Sequence, residues 1–225
     1  MRKTSILTLL LCMIAALTMT SCLNDDDDNN GLTREEQHTA YLSVAGPHDG
    51  QLVYYDSIFT TKPAKVDSVA AMVNFETDST VTVYNFRVNS IAHFVQDATA
   101  KACLENAPAQ ILKCYTYFYG LSPVTFHIQP QKLTFSTTAD GKSHTITLAF
   151  YAGYPNSYGV KSGKTIGLQI VLGGVFLDYG NITGGTKLLA NGLARSGVSL
   201  NYENITGGTN LLANGLALPF YFNAK

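Results

Sequence analysis

Between Cys114 and Phe150 the chain is a succession of short β-forming runs, and this stretch constrains the fold more than any other. Cys114-Tyr115-Thr116-Tyr117-Phe118-Tyr119, Val124-Thr125-Phe126-His127-Ile128, Lys132-Leu133-Thr134-Phe135-Ser136 and His144-Thr145-Ile146-Thr147-Leu148-Ala149-Phe150 alternate or are rich in β-branched and aromatic residues. Such residues fit a pleated surface with a buried face. Asp140-Gly141, between the last two runs, is a strong hairpin signal, because both residues tolerate positive φ. Val69–Phe75 and Thr80–Phe86 flank the polar Glu76-Thr77-Asp78-Ser79 and predict another hairpin. Further strands are expected over Gln51–Tyr55, over Ile166–Tyr179 with a bulge or bend at Gly173-Gly174, and over Leu216–Phe222.

Helical signals are fewer. Thr33-Arg34-Glu35-Glu36 has the spacing of a capping box and predicts a short helix to about Val44, closed by a turn at Gly46-Pro47-His48-Asp49-Gly50. Ile91, Phe94, Val95, Ala98 and Ala102 recur at helical spacing and predict a helix over Asn89–Asn106, with Pro108 just beyond. The expected fold class is α+β: one domain over residues 33–225, predominantly an antiparallel sheet of six to nine strands with one or two helices.

Composition narrows the function classes. Hydrophobic residues make up 46% and charged residues 14%, against roughly 25% charged in an average globular protein. Lys and Arg number 15 against 16 Asp and Glu, too balanced for a basic nucleic-acid surface, and no nucleic-acid partner is expected. The apolar content is too high for a disordered chain, and four Cys are too few for a disulfide-dense scaffold.

The N-terminus reads as an address. Met1-Arg2-Lys3 is a short positive region, and Ile6–Leu17 an apolar run shorter than the roughly 20 residues of a membrane-spanning helix. Residues 1–21 are therefore expected to be a signal peptide. Met19-Thr20-Ser21-Cys22 resembles a bacterial lipobox, and the resemblance implies lipidation of Cys22, with Met19 standing where Leu is more usual. Asp25-Asp26-Asp27-Asp28 follow almost at once, and residues 22–32 read as an acidic solvated tether. A lipidated Cys followed by acidic residues looks like the surface-export signal of Bacteroidota lipoproteins. The whole chain resembles small surface lipoproteins of that group that carry a domain of unknown function. The resemblance implies an outer-membrane, lipid-anchored location on the cell surface, with the periplasmic face as the alternative, and brings no activity with it.

Asn181–Ala194 recurs as Asn204–Ala217, identical except for Lys187 against Asn210. Two copies are too few for a solenoid, so the repeat reads as a tandem duplication inside a loop before the last strand. The other reading is a pair of loops with equivalent binding surfaces.

No catalytic signature stands out. His38, His48, His93, His127 and His144 lack metal-ligand spacing, Gly-x-Ser-x-Gly is absent, and Ser162-Gly163-Lys164-Thr165 has Tyr158 where a P-loop needs its first Gly. Neither a metal nor a cofactor is expected. Cys103 and Cys114 are candidates for a disulfide in an oxidising compartment, the other reading being two buried thiols. Tyr151, Tyr154 and Tyr158 stand in the Gly/Pro/Asn-containing segment Tyr151–Gly159 and are the candidate binding residues, since tyrosine joins a flat apolar face to a polar tip. The leading expectation is a non-catalytic binding or structural module whose ligand is a glycan or another envelope protein. A small envelope hydrolase and a barrel holding an apolar molecule are the alternatives.

Overall fold

The computed structural model describes residues 31–55, 66–178 and 217–224. The signal peptide, Cys22, the Asp tether and nearly all of both repeat copies lie outside the described residues. Helix α1 spans Arg34–Val44 and strand β1 Gly46–Tyr55. The hairpin β2 (Val66–Thr77) and β3 (Thr80–Phe86) follows. A 3-10 segment (Val88–Phe94) and helix α2 (Ala98–Glu105) come next. The remaining strands are β4 (Gln110–Leu121), β5 (Val124–Pro130), β6 (Leu133–Ala139), β7 (Lys142–Tyr151), β8 (Tyr158–Ser162), β9 (Thr165–Leu177) and β10 (Leu218–Ala224). The protein is thus mostly antiparallel β, with ten strands and three helical segments among the described residues.

The sheet runs in the order β10-β1-β2-β3-β4-β5-β8-β9-β7-β6, and β10 also pairs with β9. That last pairing closes eight strands into a barrel and leaves the β7–β6 hairpin as an extension of β9. An eight-stranded barrel is just narrow enough for side chains to fill, and here phenylalanine fills it. Phe75, Phe118 and Phe126 meet in the interior, with ring centroids 5.2–5.3 Å apart across Phe126. Phe86 packs between Phe150 and Phe220 at 5.8 and 4.8 Å. Each such fully buried ring stabilises the fold by about 1.5–3 kcal/mol relative to exposure. α1 buries Ala40 and Val44 in the same core, its Tyr41 hydroxyl donating to the Glu76 carbonyl and Lys161 to the Ser43 carbonyl. The 3-10 segment contributes Val88, Ile91 and Phe94.

Local signals explain most of these elements. Thr33 caps α1, its hydroxyl accepting from the Glu36 N–H at 3.2 Å while the Glu36 carboxylate accepts from the Thr33 N–H at 2.8 Å. Asp140 and Gly141 both adopt positive φ, 52° and 73°, as a tight β6–β7 turn of the right twist requires. The register of β7 on β9 skips between Ala149 and Phe150, so Gly173 is the bulged residue. Ser162 pairs with Thr165, which makes Gly163-Lys164 a simple hairpin turn.

Three expectations are corrected. The described residues hold ten strands where six to nine were expected, because the short β8 begins at Tyr158 in the Tyr151–Gly159 segment. The helix over Asn89–Asn106 is broken into the 3-10 segment and α2, because Asp97 takes extended backbone and caps a new helix, accepting from the Ala100 N–H at 2.8 Å. Gly46–Gly50 is not a turn but the first half of β1, paired residue by residue with Phe75–Ala71. Pro47 is tolerated there because β10 reaches β1 only from Gly50 onward, leaving an edge with no ladder bond to lose.

Candidate functional site

β4 alternates strictly along its middle. Leu112, Cys114, Thr116 and Phe118 face inward and are buried, while Ile111, Lys113, Tyr115 and Tyr117 face out. Tyr115 and Tyr117 remain 51% and 47% exposed, unusual for rings so large. The neighbouring strand sets polar groups beside them: Tyr115 pairs with Gln129 and Tyr117 with His127 of β5. On the other side Thr80 of β3 pairs with Tyr115.

Next along β4 the register slips between Phe118 and Gly120, so Tyr119 is an extra residue. Its ring lies over the His127 imidazole, centroids 4.3 Å apart and planes at 27°. Gly120 is required at this bulge, since a β-carbon would sit 2.2 Å from the Thr125 hydroxyl oxygen. The Tyr119 hydroxyl is buried beside Thr125 without meeting hydrogen-bond geometry there, and burial pushes its pKa up.

The segment joining β7 to β8 folds back over β5. Gly153 N–H donates to the Ile128 carbonyl at 2.9 Å, and Ile128 N–H donates to the Ser157 carbonyl at 3.0 Å. Tyr154 N–H donates to His127 Nδ1 at 3.1 Å. That bond makes Nδ1 the acceptor, so the neutral imidazole carries its proton on Nε2. Burial holds His127 below its ordinary 6.5, favouring this neutral form. The Gln169 side chain donates to the Asn156 and Pro155 carbonyls at 2.7 and 3.0 Å, tying the same segment to β9.

The expected trio is therefore divided. Tyr154 is 51% exposed at the rim, whereas Tyr158 is buried on β8 and Tyr151 half-buried at the end of β7. Tyr154 and Tyr158 meet edge to face at 5.4 Å and 67°. Tyr221 of β10 continues the aromatic band beyond Tyr158, its phenol pushed up to about 12 by burial and by the nearby Tyr55 and Tyr158.

Between the outer face of β4–β5 and the folded-back segment lies a groove of about 330 Å³, lined by Tyr115, Tyr117, His127, Gln129 and the backbone of Ala152-Gly153. Sequence reasoning missed Tyr115, Tyr117 and Tyr119 as a set. The signal was present: tyrosine at alternate positions of a strand places the rings on one face. The N-terminal segment arrives at the same place, for a β-carbon on Gly31 would lie 3.1 Å from the Tyr117 hydroxyl.

Other clusters offer less chemistry. His144 Nδ1 and Asp178 Oδ2 lie 2.7 Å apart on the β7–β9 extension, and Thr145 N–H donates to Asp178 Oδ1 at 2.9 Å. Both contacts hold the Asp178 carboxyl below its usual range. Cys103 and Cys114 are free and buried, so the expected disulfide is replaced by the thiol alternative. Burial and then the carboxylates of Asp178, Asp140 and Asp97 push the Cys103 thiol up, the opposite of what a nucleophile requires. Burial alone pushes Cys114 up strongly. A larger depression of about 700 Å³ crosses the outside of β1–β3, with Gly50, Ala70, Ala71 and Met72 among its lining residues and Asp49 its one carboxylate. Among the described residues no His, Cys, Asp and Glu gather as a metal site, and no helix is long and apolar enough to cross a membrane.

A family model described as a domain of unknown function (DUF4840) matches residues 43–177, from the end of α1 through β9. This is more than half of the chain, and the chain belongs to that family. No curated protein and no solved structure matches it.

Proposed function

We propose that this family member is a non-catalytic, lipid-anchored binding module of the cell envelope, and that it takes a glycan in the groove between β4–β5 and the Tyr151–Tyr158 segment. The observation that carries the reading is the outward pair Tyr115 and Tyr117, half-exposed, each beside a hydrogen-bonding side chain of β5. A sugar ring presents apolar C–H faces and a rim of hydroxyls. Stacked tyrosine meets the faces, and Gln129 and His127 Nε2 offer partners to the rim.

Two features weigh against the alternatives. The barrel interior is occupied by Phe75, Phe118 and Phe126, and the depression at its Tyr54–Phe220 end holds only about 10 Å³, leaving no room for an apolar guest. Of four depressions on the described surface, three have no carboxylate in their lining and the fourth has Asp49 alone, whereas glycoside hydrolysis uses two. The anchor rests on Met1–Cys22, and the outer membrane is the proposed site of display.

Glycan-array binding of the mature chain carrying Cys22→Ser, beside the same chain with Tyr115→Ala and Tyr117→Ala, tests the ligand. Retention of glycans by the first and not by the second is expected. An array blank for both, or a captured protein partner indifferent to the two tyrosines, refutes the glycan reading. Cys22→Ala in the full-length chain should move the protein from the membrane fraction to the soluble one, and unchanged fractionation refutes the anchor.

A further inference from the structure

We propose that the ligand is a linear, uncharged oligosaccharide lying along β4, with successive sugar units over Tyr117 and Tyr115. The inference rests on the glycan reading above and specifies its substrate class.

The spacing carries the argument. Residues two apart on a strand are separated by about 6.7 Å of rise, more than a single sugar ring spans, and their side chains point the same way. Tyr115 and Tyr117 are therefore two like platforms in a line. One sugar can cover one of them. Both stay exposed at about half their surface, with Gly31 against the Tyr117 hydroxyl but no side chain of the groove lining covering either ring.

The polar groups repeat with the rings. Each platform has its own cross-strand partner, Gln129 for Tyr115 and His127 for Tyr117, so the pattern of face plus hydrogen bond is offered twice. On the opposite wall Gly153 N–H is already committed to Ile128 and Tyr154 N–H to His127, which fixes that wall rather than leaving it free to close on a single ring. A chain passing through, and not a chain end held in a pocket, matches such a track.

Charge selects against acidic sugars. The lining contains Tyr115, Thr116, Tyr117, His127, Ile128, Gln129, Ala152 and Gly153, with no Lys, Arg, Asp or Glu. The imidazole stays neutral near pH 7, so the groove offers no counter-charge to a uronate or a sulfate. Lys113, one rung further along β4, is outside the lining.

Titration calorimetry with neutral linear glucose, mannose and xylose oligomers, from monosaccharide to hexasaccharide, tests this directly. Affinity should rise steeply from one unit to two or three and then level off. Each of Tyr115→Ala and Tyr117→Ala should weaken binding about three- to tenfold, the size of one aromatic stacking contact. Tyr115→Ala should also abolish one step of the length dependence, which a merely structural role would not do. Tyr117→Phe, which keeps the ring, should retain binding, and the circular dichroism of all variants reports whether the barrel is intact. A monosaccharide bound as tightly as the longer oligomers overturns the linear-chain inference and leaves the glycan reading standing. Uronic-acid oligomers bound as well as neutral ones overturn the uncharged class. Failure of every oligomer to bind overturns the glycan reading itself.

Discussion

Barrel closure can be tested at Gly50. This residue lies on β1 where it meets β10, and the seam between them has four paired residues, Gly50–Val53 against Ala224–Tyr221. A β-carbon at Gly50 would sit 2.2 Å from the Asn223 carbonyl oxygen and 2.8 Å from Phe222 Cζ. The first obstacle is backbone, so Gly50→Ala must push the strands apart by at least about 1 Å to reach ordinary contact. Ladder bonds near 2.9 Å would then exceed bonding distance. Losing two of them costs about 1–3 kcal/mol, and the overpacking itself about 1–3 kcal/mol more. We therefore expect a loss of about 2–6 kcal/mol, or roughly 10 °C in Tm for a chain of this size. Urea unfolding followed by circular dichroism measures it. Gly141→Asn is the control, because Gly141 has φ +73° but nothing within 4 Å, and Asn tolerates that conformation. A Gly50→Ala variant within about 0.5 kcal/mol of the parent, the range of a neutral surface change, would refute the closed seam.

Other outcomes are as specific. His127 sits below its ordinary 6.5 in the fold, so as pH falls the unfolded chain takes up this proton first. Its contribution to stability should be complete above pH 6.5 and decline as pH falls through 6.5 toward the lower folded value; urea midpoints of the parent and His127→Gln that shift identically with pH would contradict this. In the mature chain with Cys22→Ser, a thiol reagent should find nothing to modify in the native state and both Cys103 and Cys114 after unfolding without reductant; no thiol after unfolding would mean a disulfide. Removal of Asn181–Glu203, one unit of the duplication, should leave a cooperative thermal transition, and a broad, non-cooperative melt would show that the duplication belongs to the fold.

Much of the architecture was legible where a signal is local. Thr33 with Glu36, Asp140-Gly141 and Gly173-Gly174 each encode a backbone geometry in two to four residues, and each is realised in place. What failed was the reading of mixed signals. Ile91 through Ala102 keep helical spacing across two elements, because the rhythm of apolar residues does not reveal that Asp97 interrupts the backbone. Gly46-Pro47 resembles a turn, yet it starts a strand, since only the position of β10 decides whether the Pro lies on a free edge. β8 is five residues long and starts at Tyr158, the last tyrosine of the Gly/Pro/Asn-containing segment, which masks its beginning. For the site the difficulty was similar. Crowding of tyrosines at 151, 154 and 158 drew attention, but their exposure depends on β5 and β9, and only Tyr154 ends at the rim. The outward set on β4 obeys the simplest rule in the sequence, period two, and the barrel face it lies on follows from long-range pairing.

Gly31 lies at the hydroxyl of Tyr117, so the proposed anchor would limit how far the groove can stand from a membrane. Nine residue-to-residue steps lead from Cys22 to Gly31, and a fully stretched chain gains at most about 3.3–3.6 Å for each. Were Cys22 lipidated, as proposed, the stretch from it to Tyr117 could be no longer than about 30 Å, comparable with the thickness of a bilayer's hydrocarbon core. The tyrosine track would then patrol a shell close to the membrane rather than reach far into the medium, and the glycans it meets first would be those rooted in, or lying against, the same membrane.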